Sequence, residues 1–261
     1  MGDDTASRIG WGAMLGGEEW DLEEWREALK QSFDPWVTED GLILRSSSLG
    51  PATTGSEAYD LAKALMDQVN GALAVSCTAR VVRLEGIVEI LCDGTRRRAP
   101  VLTSISATER PDKARVMVDV DGPDGKPKPP LPPEPSETQR WLSITAEDDL
   151  LADALTYFGR SEDWFDIFKA LECLIGRFGG GKEGKFIALG WASASKIKLL
   201  KQTAGVWRHS RRGRLNVDPP PHAMERAEAR DLLAKLITRA FREAPATSPP
   251  KRGKGGRKSQ R

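Results

Sequence analysis

The segments ARVVRLEGIVEIL (residues 79–91) and TRRRAPVLTSISA (95–107) stand on either side of Asp93-Gly94. Asp-Gly between two such runs is the strongest short hairpin signal in the chain, because a tight turn between twisted strands needs backbone that tolerates positive φ. A short connection of this kind implies antiparallel pairing. GLILRSSSL (41–49) and KARVMVDVD (113–121) supply two further strand candidates.

Helical patterns flank these strands. EEWDLEEWREALKQSF (18–33) places Trp20, Trp25, Leu29 and Phe33 on or near one face, with acids at its start and Pro35 to end it. Ser56 is placed to cap a helix over about residues 57–69, in which Ala58, Leu61, Ala62, Leu65, Met66 and Val69 recur at helical spacing. Asn70-Gly71 is a stop signal for that helix. The expected fold class is α+β, with N-terminal helices on one face of an antiparallel sheet.

Residues 121–135 contain seven prolines, which remove backbone donors and fix φ. The segment 121–136 is therefore expected to be an extended linker between an α+β domain (1–120) and a helical domain (137–244). Its PPLPP also fits the pattern of a polyproline ligand, although proline-rich linkers are far commoner. In the second half, Thr145 is expected to cap AEDDLLADALTYF, with Asp148 at the capping-box position. Ser161 is expected to cap EDWFDIFKALECLIGRF, whose Trp164, Phe168, Leu171, Ile175 and Phe178 form a core-facing stripe. WASASKIKLLKQTAGVW and HAMERAEARDLLAKLITRAF complete a mostly helical C-terminal region. Residues 245–261 read as a disordered basic tail.

Charge is segregated. The net charge is +1, yet the tail holds six bases and no acid, leaving −5 for residues 1–244. Lys196 to Arg214 holds seven bases and no acid, leaving −12 for the rest of the body. Such asymmetry describes surface potential and partners rather than fold. No apolar run approaches a membrane span, and the N-terminus lacks the features of a secretory signal. Gly2 stands where N-myristoylation would begin, but Ala6 occupies the position of the required Ser or Thr. Three separated cysteines, Cys77, Cys92 and Cys173, suggest free thiols in a reducing compartment, so a cytoplasmic location is expected.

GGGKEGKF (179–186) fits most of a phosphate-binding loop, with Gly179, Gly184 and Lys185 in place. Such a loop needs a strand before the glycines and a Ser or Thr after the lysine. Here a helix precedes it and Phe186 takes the hydroxyl position, so a helix stop is the better reading. His209 and His222 have no zinc-ligand spacing, and no nucleophile motif accompanies them. No cofactor, metal or catalytic residue is assigned. The acids at Asp148-Asp149, Glu162-Asp163 and Asp166 are accounted for by helix starts.

The basic segment is the candidate site. Trp207 lies beside Arg208 and His209, and Arg211, Arg212 and Arg214 follow. Closely spaced bases suit phosphates, and an aromatic ring adds stacking for unpaired bases. Lys198 and Lys201, about one turn apart, can share a helix face. The candidate binding residues are thus Trp207, Arg208, His209, Arg211, Arg212, Lys198 and Lys201.

DWFDIFKALE, LGW, KQTAGVWRH, PPPHAM and EAR, taken in order, resemble uncharacterised bacterial proteins over roughly residues 141–243. The shared order is a Trp-containing helix, an Arg-His pair and a Pro-Pro…Met…Glu-Ala-Arg segment. The resemblance implies no activity and carries no functional residue over. The leading expectation is a cytoplasmic bacterial binding or interaction protein that contacts nucleic acid or an acidic protein through the basic segment. One alternative is an enzyme acting on a phosphorylated or nucleic-acid substrate at Arg208, His209 and Arg211. Another is a structural protein whose charges balance internally.

Overall fold

Asp93-Gly94 makes the expected turn. Gly94 has φ +85°, its N–H bonds Leu91 O at 3.0 Å, and the Asp93 carboxylate accepts the Thr95 N–H at 2.8 Å. The computed structural model describes residues 8–40, 42–76, 81–100, 133–160, 163–208 and 220–244. The strand candidate 113–121, the linker residues 121–132 and the tail lie outside them.

The first half runs β1 (Arg8–Gly16), α1 (Glu19–Ala28), β2 (Trp36–Val37), β3 (Ile43–Arg45), a 3-10 turn (Ser47–Leu49), α2 (Gly55–Ser76), β4 (Arg83–Leu91) and β5 (Arg96–Ala99). The second half runs α3 (Glu137–Thr145), α4 (Asp149–Arg160), α5 (Trp164–Gly179), α6 (Glu183–Ile187), α7 (Ala194–Arg208) and α8 (Arg226–Glu243). The five strands form an antiparallel sheet in the order β2-β3-β1-β4-β5. The fold is α+β, with a helical C-terminal region.

The sequence pattern did not announce the central strand β1. RIGWGAMLG alternates faces, with Trp11, Ala13 and Leu15 turned to the main core. Gly12 lies on the other face, opposite Val88, where a Cβ would come within 2.5 Å of the Ile43 methyl. Glycine is disfavoured in strands, but here it makes room for Ile43, Val88 and Ile90, which pack together on that face.

α2 crosses the inner face of the sheet and buries Ala58, Ala62, Met66, Val69 and Leu73 against β1 and β4. Thr54, not Ser56, caps it: its hydroxyl accepts the Glu57 N–H, and the Glu57 carboxylate accepts those of Thr53 and Thr54. The helix also runs through Asn70-Gly71 instead of stopping there. Asn70 is buried, and its amide both donates to and accepts from the Val82 backbone at 3.0 Å, which fixes the entry to β4. Gly71 is where α4 crosses: a Cβ there would lie 2.1 Å from Leu155 O. Gly159, one turn on, would meet Asp67 O at 2.4 Å. The two backbones touch because both residues lack side chains. Arg160 Nε donates to Asp67 at 2.8 Å beside the crossing.

Three further expectations are corrected. Trp20 is 76% exposed, since only Leu22, Trp25 and Ala28 of α1 face the core; Leu29 and Phe33 are buried beyond the helix end. Thr145 ends α3 rather than capping α4, with its hydroxyl bonded to Leu142 O and Gln68. Asp148 supplies the cap by accepting the Leu151 N–H.

α4, α5, α7 and α8 enclose a second core around Leu151, Leu155, Phe158, Ile167, Leu171, Leu174, Leu200, Leu233 and Ile237. Of the expected α5 stripe, Leu171 and Ile175 are buried in this core and Trp164 and Phe178 pack at its margin, while Phe168 is buried outside it. The two cores share elements: Ala72 of α2 belongs to the second, Leu142 of α3 to the first. α3 also binds the α1–β2 loop. The buried Gln139 side-chain amide donates to Lys30 O at 2.9 Å, Pro35 O at 2.9 Å and Phe33 O at 3.3 Å.

Candidate functional site

Ser193 precedes α7, and its hydroxyl accepts the Lys196 N–H at 3.3 Å. Ile197, Leu200, Thr203, Ala204 and Val206 are buried, and α7 packs against α5. The Thr203 hydroxyl accepts the Met224 N–H at 3.0 Å and so pins the chain just before α8. With one face spent on packing, Lys196, Lys198, Gln202 and Trp207 are left exposed.

The candidate residues separate accordingly. Trp207 is 50% exposed near the end of α7, although Val206 beside it is buried. Lys198 is exposed and, like Lys196, has no ion-pair partner among the described residues. Lys201 differs: its ammonium is bonded to the Glu183 carboxylate of α6, so it stabilises the α6–α7 junction and is not a free cation. Arg208 is the last helical residue. His209, Arg211 and Arg212 lie outside the described residues. His222 is exposed.

GGGKEGKF is explained by packing. Gly180 and Gly181 have φ of +58° and +75°, and both N–H groups return to Ile175 O as the stop of α5. The loop joins helix to helix, whereas a phosphate loop leads from strand to helix. Phe186, in the hydroxyl position, is buried and stacks edge-on against Trp191 at 5.6 Å, which also meets Phe178 at 4.8 Å. Lys185 is exposed.

Ionisable groups elsewhere are mostly structural. Arg97 and Arg8 share Glu89 at the end of the sheet, Arg96 pairs with Asp40 at 2.6 Å, and Arg177 pairs with Asp148. Burial pushes the Cys173 thiol up to about 11, which keeps it protonated and unreactive. Burial, with Asp163 nearby, also raises the Asp166 carboxyl. Among the described residues no group of three or more His, Cys, Asp or Glu is placed to hold a metal ion, and no helix is long and apolar enough to cross a membrane.

Sequence reasoning missed a second set of free cations. Lys235, Arg239 and Arg242 of α8 are exposed and line a shallow cleft of about 440 Å³ beside Val75 at the end of α2. Their spacing of four and three residues was legible as one helix face. Compared with protein families, curated proteins and solved structures, the chain matches none.

Proposed function

We propose that the protein is a cytoplasmic binding protein whose basic segment, from Lys196 onward, contacts single-stranded nucleic acid. The observation that carries this reading is the half-exposed Trp207 near the end of a helix whose Ile197, Leu200 and Val206 are buried and whose Leu199 is partly buried. In sequence Trp207 is followed by Arg208, Arg211, Arg212 and Arg214 with no intervening acid. A half-exposed aromatic ring followed in sequence by clustered bases offers stacking and phosphate contact together, the combination that holds unpaired strands. Lys196 and Lys198 add two exposed cations at the start of α7. Internal charge balance accounts for Lys201, which is engaged by Glu183, but not for these two.

The test is titration of a fluorescent single-stranded oligonucleotide with the full chain at low salt. Trp207→Ala is expected to weaken binding by about 1–3 kcal/mol while leaving the salt dependence nearly unchanged. An unchanged affinity in that variant, or no binding by the parent protein, refutes the reading.

A further inference from the structure

Lys235, Arg239 and Arg242 project from one stripe of α8. At 1.5 Å rise per residue they span about 10.5 Å along its axis. Each strand of a duplex carries one phosphate per ~3.4 Å of helix axis, and the phosphates of an extended single strand stand wider apart, so the stripe faces about two or three of them. Its two guanidinium groups suit forked contact with phosphate oxygens, and its ammonium acts as a point charge.

Several observations bear on what this face meets. None of the three cations has an ion-pair partner among the described residues, whereas Arg8, Arg96, Arg97, Arg160 and Arg177 are all held by carboxylates. Asp231, one turn before Lys235, also lines the cleft, yet it forms no ion pair with it. The helix dipole accounts for Arg242 in the last turn but falls off before Lys235, seven residues earlier. The cleft itself is wide and shallow, with Thr238 and the apolar Val75 and Ala234 as its floor, a form suited to an extended chain rather than to an enclosed small molecule. The face also ends where six further bases begin: Ala244 closes α8, and residues 245–261 contain no acid.

We infer that this face of α8 is a second nucleic-acid contact surface, which binds successive phosphates of the strand proposed above. The nature of the partner rests on that reading; the residues do not.

The experiment compares the full chain with K235Q/R239Q/R242Q and with a charge-matched control, K63Q/K182Q/K185Q, which removes three exposed lysines elsewhere. Affinity for a single-stranded oligonucleotide is measured across salt concentrations, after circular dichroism and melting confirm that each variant is folded. The α8 variant is expected to reduce the steepness of log K against log salt by about 1.4–2 units, at roughly 0.7 per lost phosphate contact. The control is expected to leave the slope within about half a unit. Equal effects from both variants, or no effect from the α8 variant, overturn the inference and leave the Trp207 reading intact. An unaffected Trp207→Ala protein with a flattened α8 slope does the reverse. Binding of the parent protein only to anionic vesicles or acidic peptides overturns both.

Discussion

Gly71→Ala tests the crossing on which the two cores depend. The added Cβ would stand 2.1 Å from Leu155 O, about 1.3 Å short of the 3.4 Å at which ordinary contact begins. Both partners are helix backbone, so no side-chain rotation relieves the clash, and α4 must retreat from α2. A gap of 0.5–1 Å already forfeits about a quarter to a half of a dispersion contact. Overpacking of this kind costs about 1–3 kcal/mol, and a rigid backbone neighbour places it at the upper end. Against this, alanine gains about 0.8–1 kcal/mol of helix propensity over glycine. The net expectation is a loss of about 2 kcal/mol, or roughly 4–8 °C in Tm for a chain of this size. Gly205→Ala in α7 is the matched control, because a Cβ there meets nothing within 4 Å. It is expected to stabilise by about 0.5–1 kcal/mol. Thermal melts and urea titrations of both proteins give the comparison. A Gly71→Ala protein as stable as the parent would refute the close-crossing argument. Gly159→Ala acts at the same crossing, so the double variant is expected to lose less than the sum of the two.

Two further predictions concern electrostatics and assembly. Burial works against the Asp40 carboxylate, but hydrogen bonds from Thr38, Arg96 and the Leu42 N–H outweigh it and hold its pKa below the usual value. The stabilisation is therefore present above about pH 4 and lost as pH falls through the lowered folded value. Asp40→Asn should cost about 0.2–1 kcal/mol near neutral pH, with the parent and variant curves converging in acid; a constant difference across pH would refute this. Separately, residues 1–120 and 121–261 co-expressed as two chains are expected to copurify, because α2 packs on α4 and α3 binds the α1–β2 loop. Independent elution of the two pieces would show that these contacts are too weak to hold them.

What the sequence made legible was local. The Asp93-Gly94 turn, the α5 stripe and the Gly180-Gly181 stop each depend on residues within a few positions of one another, and each stands as read. What it hid depends on distant partners. Asn70-Gly71 has the composition of a stop, but Val82 and Leu155 give both residues work inside a continuing helix. The glycines of β1 make it a poor strand on propensity, and only Ile43, Val88 and Ile90 across the sheet explain Gly12. At the candidate site the same division holds. Clustered bases can be counted from sequence, but that Glu183 engages Lys201 while Lys198 has no ion-pair partner depends on how α6 meets α7.

Gln139 carries a consequence for synthesis. Its side-chain amide satisfies carbonyls 104 to 109 residues earlier in the chain. At ~5–20 residues per second, those carbonyls are made roughly 5–20 s before their partner. During that interval water must take the place of the Gln139 amide at these carbonyls, and burying them without it carries the desolvation cost of unsatisfied groups. The β4–β5 hairpin needs no such wait, since its paired residues are close in sequence. Birth order therefore differs from spatial order: the late-made hairpin strands can pair at once, whereas the loop after α1, made earlier, closes only when α3 has been translated. A nascent chain stalled before Gln139 would keep that loop open, and with it a segment for the cell's proteases to test.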